Sequence, residues 1–129
     1  MEQLNRKTVA EFKRSVKTPV IAVIENVRSA YNVGSLFRTA DAFLLEAIYI
    51  TGYTARPPHK EIRKTALGAE DTVDWEYFSH ASEAIRTLKE NGFKVYAIEQ
   101  VKNSLSLEKA IFNADEKIAV VFGNEVTGV

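Results

Sequence analysis

Two polar loops of this 129-residue chain carry the side chains best suited to binding an anionic ligand. The first holds Asn26 and Asn32, and Arg38 follows six residues after Asn32 in a segment of helical periodicity. A helix N-terminus attracts anions through its free N–H groups, and Gly34 allows a close approach of backbone or ligand. The spacing by itself favours a structural interpretation, in which Asn32 is only the helix N-cap and Arg38 pairs with Asp41.

The second polar loop, residues 123–128, places Asn124 and Glu125 directly after a short apolar run. Its glycines suggest a phosphate loop, but Val129 follows where a Walker A loop requires Lys and then Ser or Thr. No G-x-G-x-x-G occurs, so a dinucleotide fingerprint is also excluded. A carboxylate at the tip of a buried strand suits a polar or cationic ligand. The alternative is a plain strand-to-helix turn with a helix-capping acid.

Residue types exclude several other kinds of site. The chain has no cysteine, which excludes a disulfide scaffold, a thiolate nucleophile and Cys-ligated metals, and fits a cytoplasmic protein. His59 and His80 lack metal-ligand spacing, so we expect no metal. No G-x-S-x-G elbow is present for a serine nucleophile. The apolar runs have strand length and the N-terminus has no apolar h-region, so we expect no membrane association.

Strands must position these loops. Apolar runs predict buried strands at Val20–Ile24, Ala47–Thr51, Phe93–Ile98 and Ile118–Phe122. They alternate with helical patterns, which predicts an α/β fold, a parallel sheet with flanking helices. Ligands of such sheets bind beyond the carboxyl ends of the strands. The loops after Ile24, Ile98 and Phe122 are therefore favoured.

The remaining segments are assigned by their local patterns. Asn26–Asn32 is predicted as a strand-to-helix loop before a helix, residues 53–68 as irregular, and Val73–Phe78 as a short or edge strand. Ser79 is expected to cap the helix that Asn91-Gly92 ends. A further short helix is expected over Leu105–Phe112, with Ser104 as its cap.

The net charge of zero averages two unlike halves. Residues 1–68 hold 11 Lys/Arg and 6 Asp/Glu, whereas residues 69–129 hold 6 and 11. Residues 1–18 read as a basic N-terminal helix or arm that Pro19 ends. Such asymmetry indicates either a basic face for an anionic partner or merely a solvated surface.

Taken together, the two loops resemble a known family. The stretch E-N-V-R-S-A-Y-N-V-G-S-L-F-R-T-A-D-A-F (25–43) resembles the first motif of the SpoU (TrmH) family of RNA 2′-O-ribose methyltransferases, in the SPOUT class, and I-A-V-V-F-G-N-E-V-T-G-V (118–129) resembles the second. The stretch V-Y-A-I-E-Q (95–100) is similar to the family's cofactor-side strand. The resemblance implies a trefoil-knotted α/β fold, S-adenosylmethionine as methyl donor and a homodimer. It also implies methyl transfer to a ribose 2′-hydroxyl of tRNA or rRNA.

The resemblance also implies roles for individual residues. Arg38 matches the catalytic arginine, Asn32 the asparagine that orients it, and Glu125 the acid of the second motif. Cofactor contacts fall on Ile98, Glu99, Gly123 and Asn124. The candidate RNA contacts are Asn26, Arg28, Arg6, Lys13, Arg14, Arg56, Lys60 and Arg63.

The family's third motif, a strand, a Ser-Leu-Asn loop and a last helix, does not occur in these residues. We therefore expect a basic arm (1–18), then a methyltransferase domain (19–129) without its knot-forming C-terminal segment, and weak binding of the cofactor by this form. Two alternatives stay open. One is a truncated, catalytically incompetent RNA-binding α/β module, and the other is an unrelated α/β ligand-binding domain.

Overall fold

The computed structural model describes residues 18–98 and 116–123. Its five strands form one sheet in which every neighbouring pair is parallel, which confirms the predicted α/β class. The strands are β1 (Thr18–Glu25), β2 (Leu45–Thr51), β3 (Trp75–Phe78), β4 (Lys94–Ile98) and β5 (Ile118–Phe122). Their order across the sheet is β3-β2-β1-β5-β4, so β1 lies at the centre and β3 forms an edge, as its short run predicts.

The two faces of β1 bury different residues, because successive side chains of a strand point to opposite sides. Val20, Ala22 and Ile24 lie in one apolar cluster, with residues of the helices that follow β1 and β2. Ile21 and Val23 lie in a second cluster, with residues of the helix that precedes β4. The continuous apolar run of β1 is thus explained by helical layers on both faces.

The first layer begins with α1 (Ala30–Phe43), which packs Val33, Phe37 and Ala40 onto the sheet. Its N-cap is Ser29, whose Oγ accepts a hydrogen bond from the backbone N–H of Asn32 at 3.0 Å. The expectation that Asn32 caps the helix, and that the loop extends to Asn32, is therefore wrong. Serine is an equally good cap by residue type, and the helix begins one turn earlier.

The prediction that residues 53–68 are irregular is also wrong. They contain α2 (Lys60–Ala66), followed by the single turn α3 (Ala69–Thr72). Ile62 and Ala66 are spaced i,i+4 and are both buried, which is a helical signal, but the charged residues around them obscure it. The peptide bond between Pro57 and Pro58, just before α2, is cis.

The second layer of the described residues is α4 (Ala81–Glu90), which buries Ala84 and Leu88. Its N-cap is His80, one residue after the predicted Ser79. The predicted stop is confirmed, since Asn91 is the C-cap and Gly92 has a φ of +88°. In the described part of the chain, no helix is long and apolar enough to cross a membrane.

Two predicted elements lie outside the described residues. These are the basic arm, apart from Thr18, and the helix over Leu105–Phe112.

Candidate functional site

The carboxyl ends of three strands meet at one edge of the sheet. Ile24 of β1 is paired in register with Phe122 of β5, and Phe122 is paired in turn with Ile98 of β4. The last residues of these three strands therefore lie side by side. Gly123, the first residue of the second polar loop, is buried at this edge. Glu99, Asn124 and Glu125 lie outside the described residues and stay predictions.

The boundary between β1 and β5 is also the point at which the direction of strand succession across the sheet reverses. From β1 the chain proceeds to β2 and β3 on one side, whereas β5 and β4 lie on the other side. A crevice outside the carboxyl ends of the strands at such a switch point is the usual ligand site of an open parallel sheet. The boundary between β1 and β5 thus brings the starts of both predicted loops to that position.

Two buried threonines hold the first polar loop against β2. Thr51 Oγ1 donates a hydrogen bond to the carbonyl oxygen of Ile24 at 2.9 Å, and Val27 N–H donates to Thr54 Oγ1 at 2.9 Å. Thr51 and Thr54 are the buried polar residues of the described chain. Neither threonine was predicted as part of the site, although Thr51 at the end of the predicted strand and Thr54 three residues later, beyond Gly52, are a sequence signal for both.

Asn26 completes this bracing with an unusual backbone. Its φ of +52° lies in the left-handed region, which asparagine tolerates better than most residues. Its Oδ1 accepts a hydrogen bond from Tyr53 N–H at 3.0 Å. A Cβ at Gly52 would overlap the Asn26 carboxamide, so glycine is required there. The carboxamide oxygen of Asn26 thus accepts a hydrogen bond within the protein, and its predicted RNA contact stays a prediction.

Asn32 and Arg38 are both exposed on α1 but leave the helix from different sides. Six residues of α-helix separate them by about 9 Å along the axis and about 120° around it. Arg38 therefore lies more than a turn beyond Asn32 and not beside the first turn of the helix.

The pairing of Arg38 with Asp41, the structural alternative, does not occur. Asp41 Oδ1 instead accepts a hydrogen bond from Thr72 Oγ1 at 3.3 Å. Within residues 18–98 and 116–123, no ion pair joins Arg38 to Asp41. The guanidinium therefore has no structural ion pair that accounts for it in this part of the protein.

The candidate RNA contacts of the described residues lie on the segments after β1 and β2. Arg28 is exposed in the first loop, and the Arg56 guanidinium lies 3.7 Å above the centre of the Tyr77 ring. Lys60 and Arg63 line an open depression of about 420 Å³. Arg6, Lys13 and Arg14 lie outside the described residues. Among the residues that the structure describes, no three His, Cys, Asp or Glu side chains come together as metal ligands.

Comparison with known proteins agrees with this architecture. A family model described as the SpoU rRNA Methylase family matches residues 19–129. A 23S rRNA (guanosine-2′-O-)-methyltransferase of Vibrio parahaemolyticus is 29% identical over 91 residues, which cover 70% of this chain and 37% of that protein. The tRNA (guanosine(18)-2′-O)-methyltransferase of Thermus thermophilus is 29% identical over 128 residues, covering 98% of this chain and 63% of that protein.

Solved structures show the same fold. The TrmH/SpoU tRNA modifying enzyme of A. aeolicus superposes with a TM-score of 0.70 at 22% identity, over 94% of this chain and 60% of that one. An AdoMet-bound rRNA methyltransferase of Sinorhizobium meliloti has a TM-score of 0.67 at 20% identity, over 90% and 46%. The chain spans between 31% and 63% of the length of the curated relatives it matches.

Proposed function

The chain belongs to the SpoU rRNA Methylase family, and we propose that it transfers a methyl group from S-adenosylmethionine to a ribose 2′-hydroxyl of tRNA or rRNA. The observation that carries this proposal is the pairing of Ile24 with Phe122. That pairing brings the start of the loop before the Arg38 helix and Gly123 to the carboxyl ends of neighbouring strands. Reaction of RNA with a bound methyl donor requires both partners to meet in one place.

The residues at this edge fit the proposed cofactor. Gly123 is buried and offers backbone without a side chain, so a flat group can approach it closely. Ile98 ends the strand on the far side of β5. In this proposal Ile98 and Gly123 hold the cofactor, together with Glu99 and Asn124. When bound, S-adenosylmethionine supplies an activated methyl group on a positively charged sulfur, a charge that the carboxylate of Glu125 complements.

Arg38 supplies the positive charge that the reaction needs on the RNA side. The ribose 2′-oxygen becomes negative as its proton passes to solvent water, and a nearby cation stabilises that charge. Arginine stays protonated in proteins, so Arg38 acts by holding an RNA phosphate and the developing alkoxide rather than as an ordinary base. Asn32, about 9 Å nearer the start of α1, contacts the ribose or an adjacent phosphate in this proposal.

The family relationship also motivates proposals about assembly. We propose that the protein is a homodimer, that the trefoil knot of its class forms only where the third motif is present, and that the protein acts in the cytoplasm. Sedimentation of the purified protein tests the first of these, because a monomer at micromolar concentration contradicts it.

The central experiment measures incorporation of a tritiated methyl group from S-adenosylmethionine into tRNA and rRNA. The protein is expressed from its complete reading frame, and alkali-resistant dinucleotides identify the 2′-O-methyl product. Arg38→Ala should lower the rate about 100-fold or more, by analogy with removal of a single transition-state donor. Arg38→Lys should not restore it, since an ammonium lacks the planar, bidentate guanidinium.

Arg86→Ala is the matched control, because Arg86 is an exposed arginine on α4, the opposite layer. Its rate should equal that of the wild type. Undiminished transfer by Arg38→Ala contradicts the role of Arg38. RNA binding without methyl transfer by the wild type favours the alternative of a non-catalytic RNA-binding module.

A further inference from the structure

An exposed surface of arginine and tyrosine side chains adjoins the first polar loop. Tyr53 follows the strand end that Asn26 braces, and 55% of its surface is exposed. The Tyr77 hydroxyl donates a hydrogen bond of 2.7 Å to the carbonyl oxygen of Gly52, the residue before Tyr53. Arg56, itself exposed, lies 3.7 Å above the centre of the Tyr77 ring. A continuous series of contacts thus joins the Asn26 loop to Arg56.

The same surface continues into a basic depression. Two residues after Arg56, the chain enters the depression of about 420 Å³ at the start of α2. It is lined by Pro58, His59, Lys60, Arg63 and Lys64. Residues 52–66 contain four Lys or Arg residues and a single acid, Glu61. Lys64 is paired with Glu61 at 3.7 Å, which leaves Arg56, Lys60 and Arg63 as the three side chains whose charge is not offset by an acid of this segment.

The stacked guanidinium distinguishes this surface from a merely solvated basic one. The central carbon of the Arg56 guanidinium lies 3.7 Å above the centre of the Tyr77 ring, and a flat cation held there can also contact a further flat group. Unpaired RNA bases stack on tyrosine rings and on guanidinium planes, whereas the bases of an A-form duplex are stacked on one another. Phosphates alone need only charge. The combination therefore matches a single strand better than a duplex.

Resting on the proposed function, we propose that this arginine–tyrosine surface (Tyr53, Arg56, Lys60, Arg63 and Tyr77) binds an unpaired RNA segment next to the ribose to be methylated. One base stacks on Arg56 and a neighbouring base on Tyr53. Lys60 and Arg63 contact the phosphates of the same strand. The substrate class is accordingly an RNA loop rather than a continuous duplex.

The test measures RNA binding by the full chain through fluorescence anisotropy. The probes are a hairpin with a seven-nucleotide loop and a blunt duplex with the same number of phosphates. The wild type should bind the hairpin at least tenfold more tightly. Arg56→Lys keeps the charge but removes the plane, so it should lose about tenfold on the hairpin and little on the duplex.

A charge-removing pair separates electrostatics from stacking. The double variant Lys60→Gln with Arg63→Gln should weaken the binding of both probes. It should also reduce the slope of log K against log salt concentration by about 1.4–1.8 in magnitude. Arg86→Gln with Lys89→Gln removes two exposed charges from α4 and should leave binding within twofold. Circular dichroism verifies that each variant is folded.

Three results overturn the proposal. The first two are equal affinity for the hairpin and the duplex, and an unchanged hairpin affinity in Arg56→Lys. Preferential binding to anionic lipid vesicles over the hairpin also contradicts it and indicates a membrane partner instead. With a loop RNA as the methyl acceptor, the variants of this surface should raise KM with little change in kcat.

The outcome for this surface is separable from that of the proposed function. If methyl transfer occurs and every variant binds RNA as tightly as the wild type, the proposal about this surface is wrong and the proposed reaction is unaffected. If the protein binds the hairpin loop but transfers no methyl group, the proposed reaction is wrong and the surface is an RNA-binding site without chemistry.

Discussion

The two helical layers are attached to the same sheet in different ways. On the α1 face, helices and loops are held by particular side chains: buried Thr54, left-handed Asn26, and Gly34 where α1 meets α2. On the α4 face, the helix is held by a periodic apolar stripe and ended by Asn91-Gly92. Departures from the simple apolar pattern are thus concentrated beside the candidate site. Proteins commonly break local rules at their functional sites and compensate for them elsewhere.

The largest expected effects are losses of unfolding free energy on truncating one buried side chain in each layer, and we expect the two layers to contribute similarly to stability. Phe37 of α1 and Leu88 of α4 are both almost completely buried. Phe37→Ala should lower the free energy of unfolding by about 3–5 kcal/mol and Leu88→Ala by about 2–5 kcal/mol. Urea denaturation measures both. A loss below about 1 kcal/mol for Leu88→Ala would mean that α4 is not packed as described.

The next effect tests the specific contact between α1 and α2. A Cβ at Gly34 would overlap Thr65 Oγ1 and lie 2.8 Å from the carbonyl oxygen of Ile62. Gly34→Ala should therefore lower the free energy of unfolding by about 2–3 kcal/mol, although alanine is normally the better helix former by about 1 kcal/mol.

A second substitution makes this prediction sharper. Thr65→Ala removes the overlapping hydroxyl, so the double variant should be less destabilised than the sum of the two single variants. Equal or higher stability of Gly34→Ala alone contradicts the close approach of the helices.

A smaller effect separates the two contributions of Asn26. Asn26→Gly keeps the left-handed backbone but loses the hydrogen bond from Tyr53 N–H, so it should cost about 1 kcal/mol of unfolding free energy. Asn26→Ala also strains the backbone and should cost about 2 kcal/mol. Urea denaturation of both variants provides the comparison. If alanine and glycine cost the same, the left-handed conformation contributes nothing.

The smallest effect belongs to the α4 face and appears only at high pH. Burial, and secondarily the charges of Glu76 and Glu46, raise the pKa of Tyr49 above its ordinary 10.0. The unfolded chain therefore ionises this phenol first. The contribution of the neutral Tyr49 phenol to the free energy of unfolding is complete below pH 10. It is lost as the pH rises through the folded-state pKa of Tyr49.

Unfolding free energies at about pH 9 and about pH 11 test this direction. Tyr49→Phe should lose less stability across that interval than the wild type. Tyr96→Phe removes an exposed tyrosine of β4 and serves as the control. A pH dependence in Tyr49→Phe equal to that of the wild type contradicts the prediction.

Local patterns predicted much of the architecture, though not every boundary. Residues 20–24 and 118–122 form strands because β-branched apolar runs suit a sheet covered on both faces. The helix at Ala81–Glu90 follows from its apolar stripe and its Asn-Gly stop. The sequence argument failed over residues 60–66, where two buried positions are too few to show a period. It also placed the cap at Asn32, because asparagine and serine are nearly equivalent caps.

The residues of the candidate site also fall into those that the sequence predicted and those that only the structure revealed. Arg38 and Gly123 follow from motif resemblance, whereas Thr51, Thr54 and Tyr53 appear only when β2 is placed beside β1. Their hydrogen bonds join residues about 27 positions apart in the chain. Nothing local encodes such pairing, because a strand's side-chain pattern specifies which faces are buried and not which strand is its neighbour.

The sequence by itself determined the parallel α/β class, the resemblance of both polar loops to one family, and the concentration of basic residues in the first half. Periodicity and residue chemistry are local properties, so they are readable from one chain. The tertiary structure decided that β5 lies between β1 and β4, and therefore that Ile24 and Phe122 are neighbours. It also decided that Arg56 stacks on Tyr77. These are long-range contacts, which arise only when the whole sheet and its two layers are packed together.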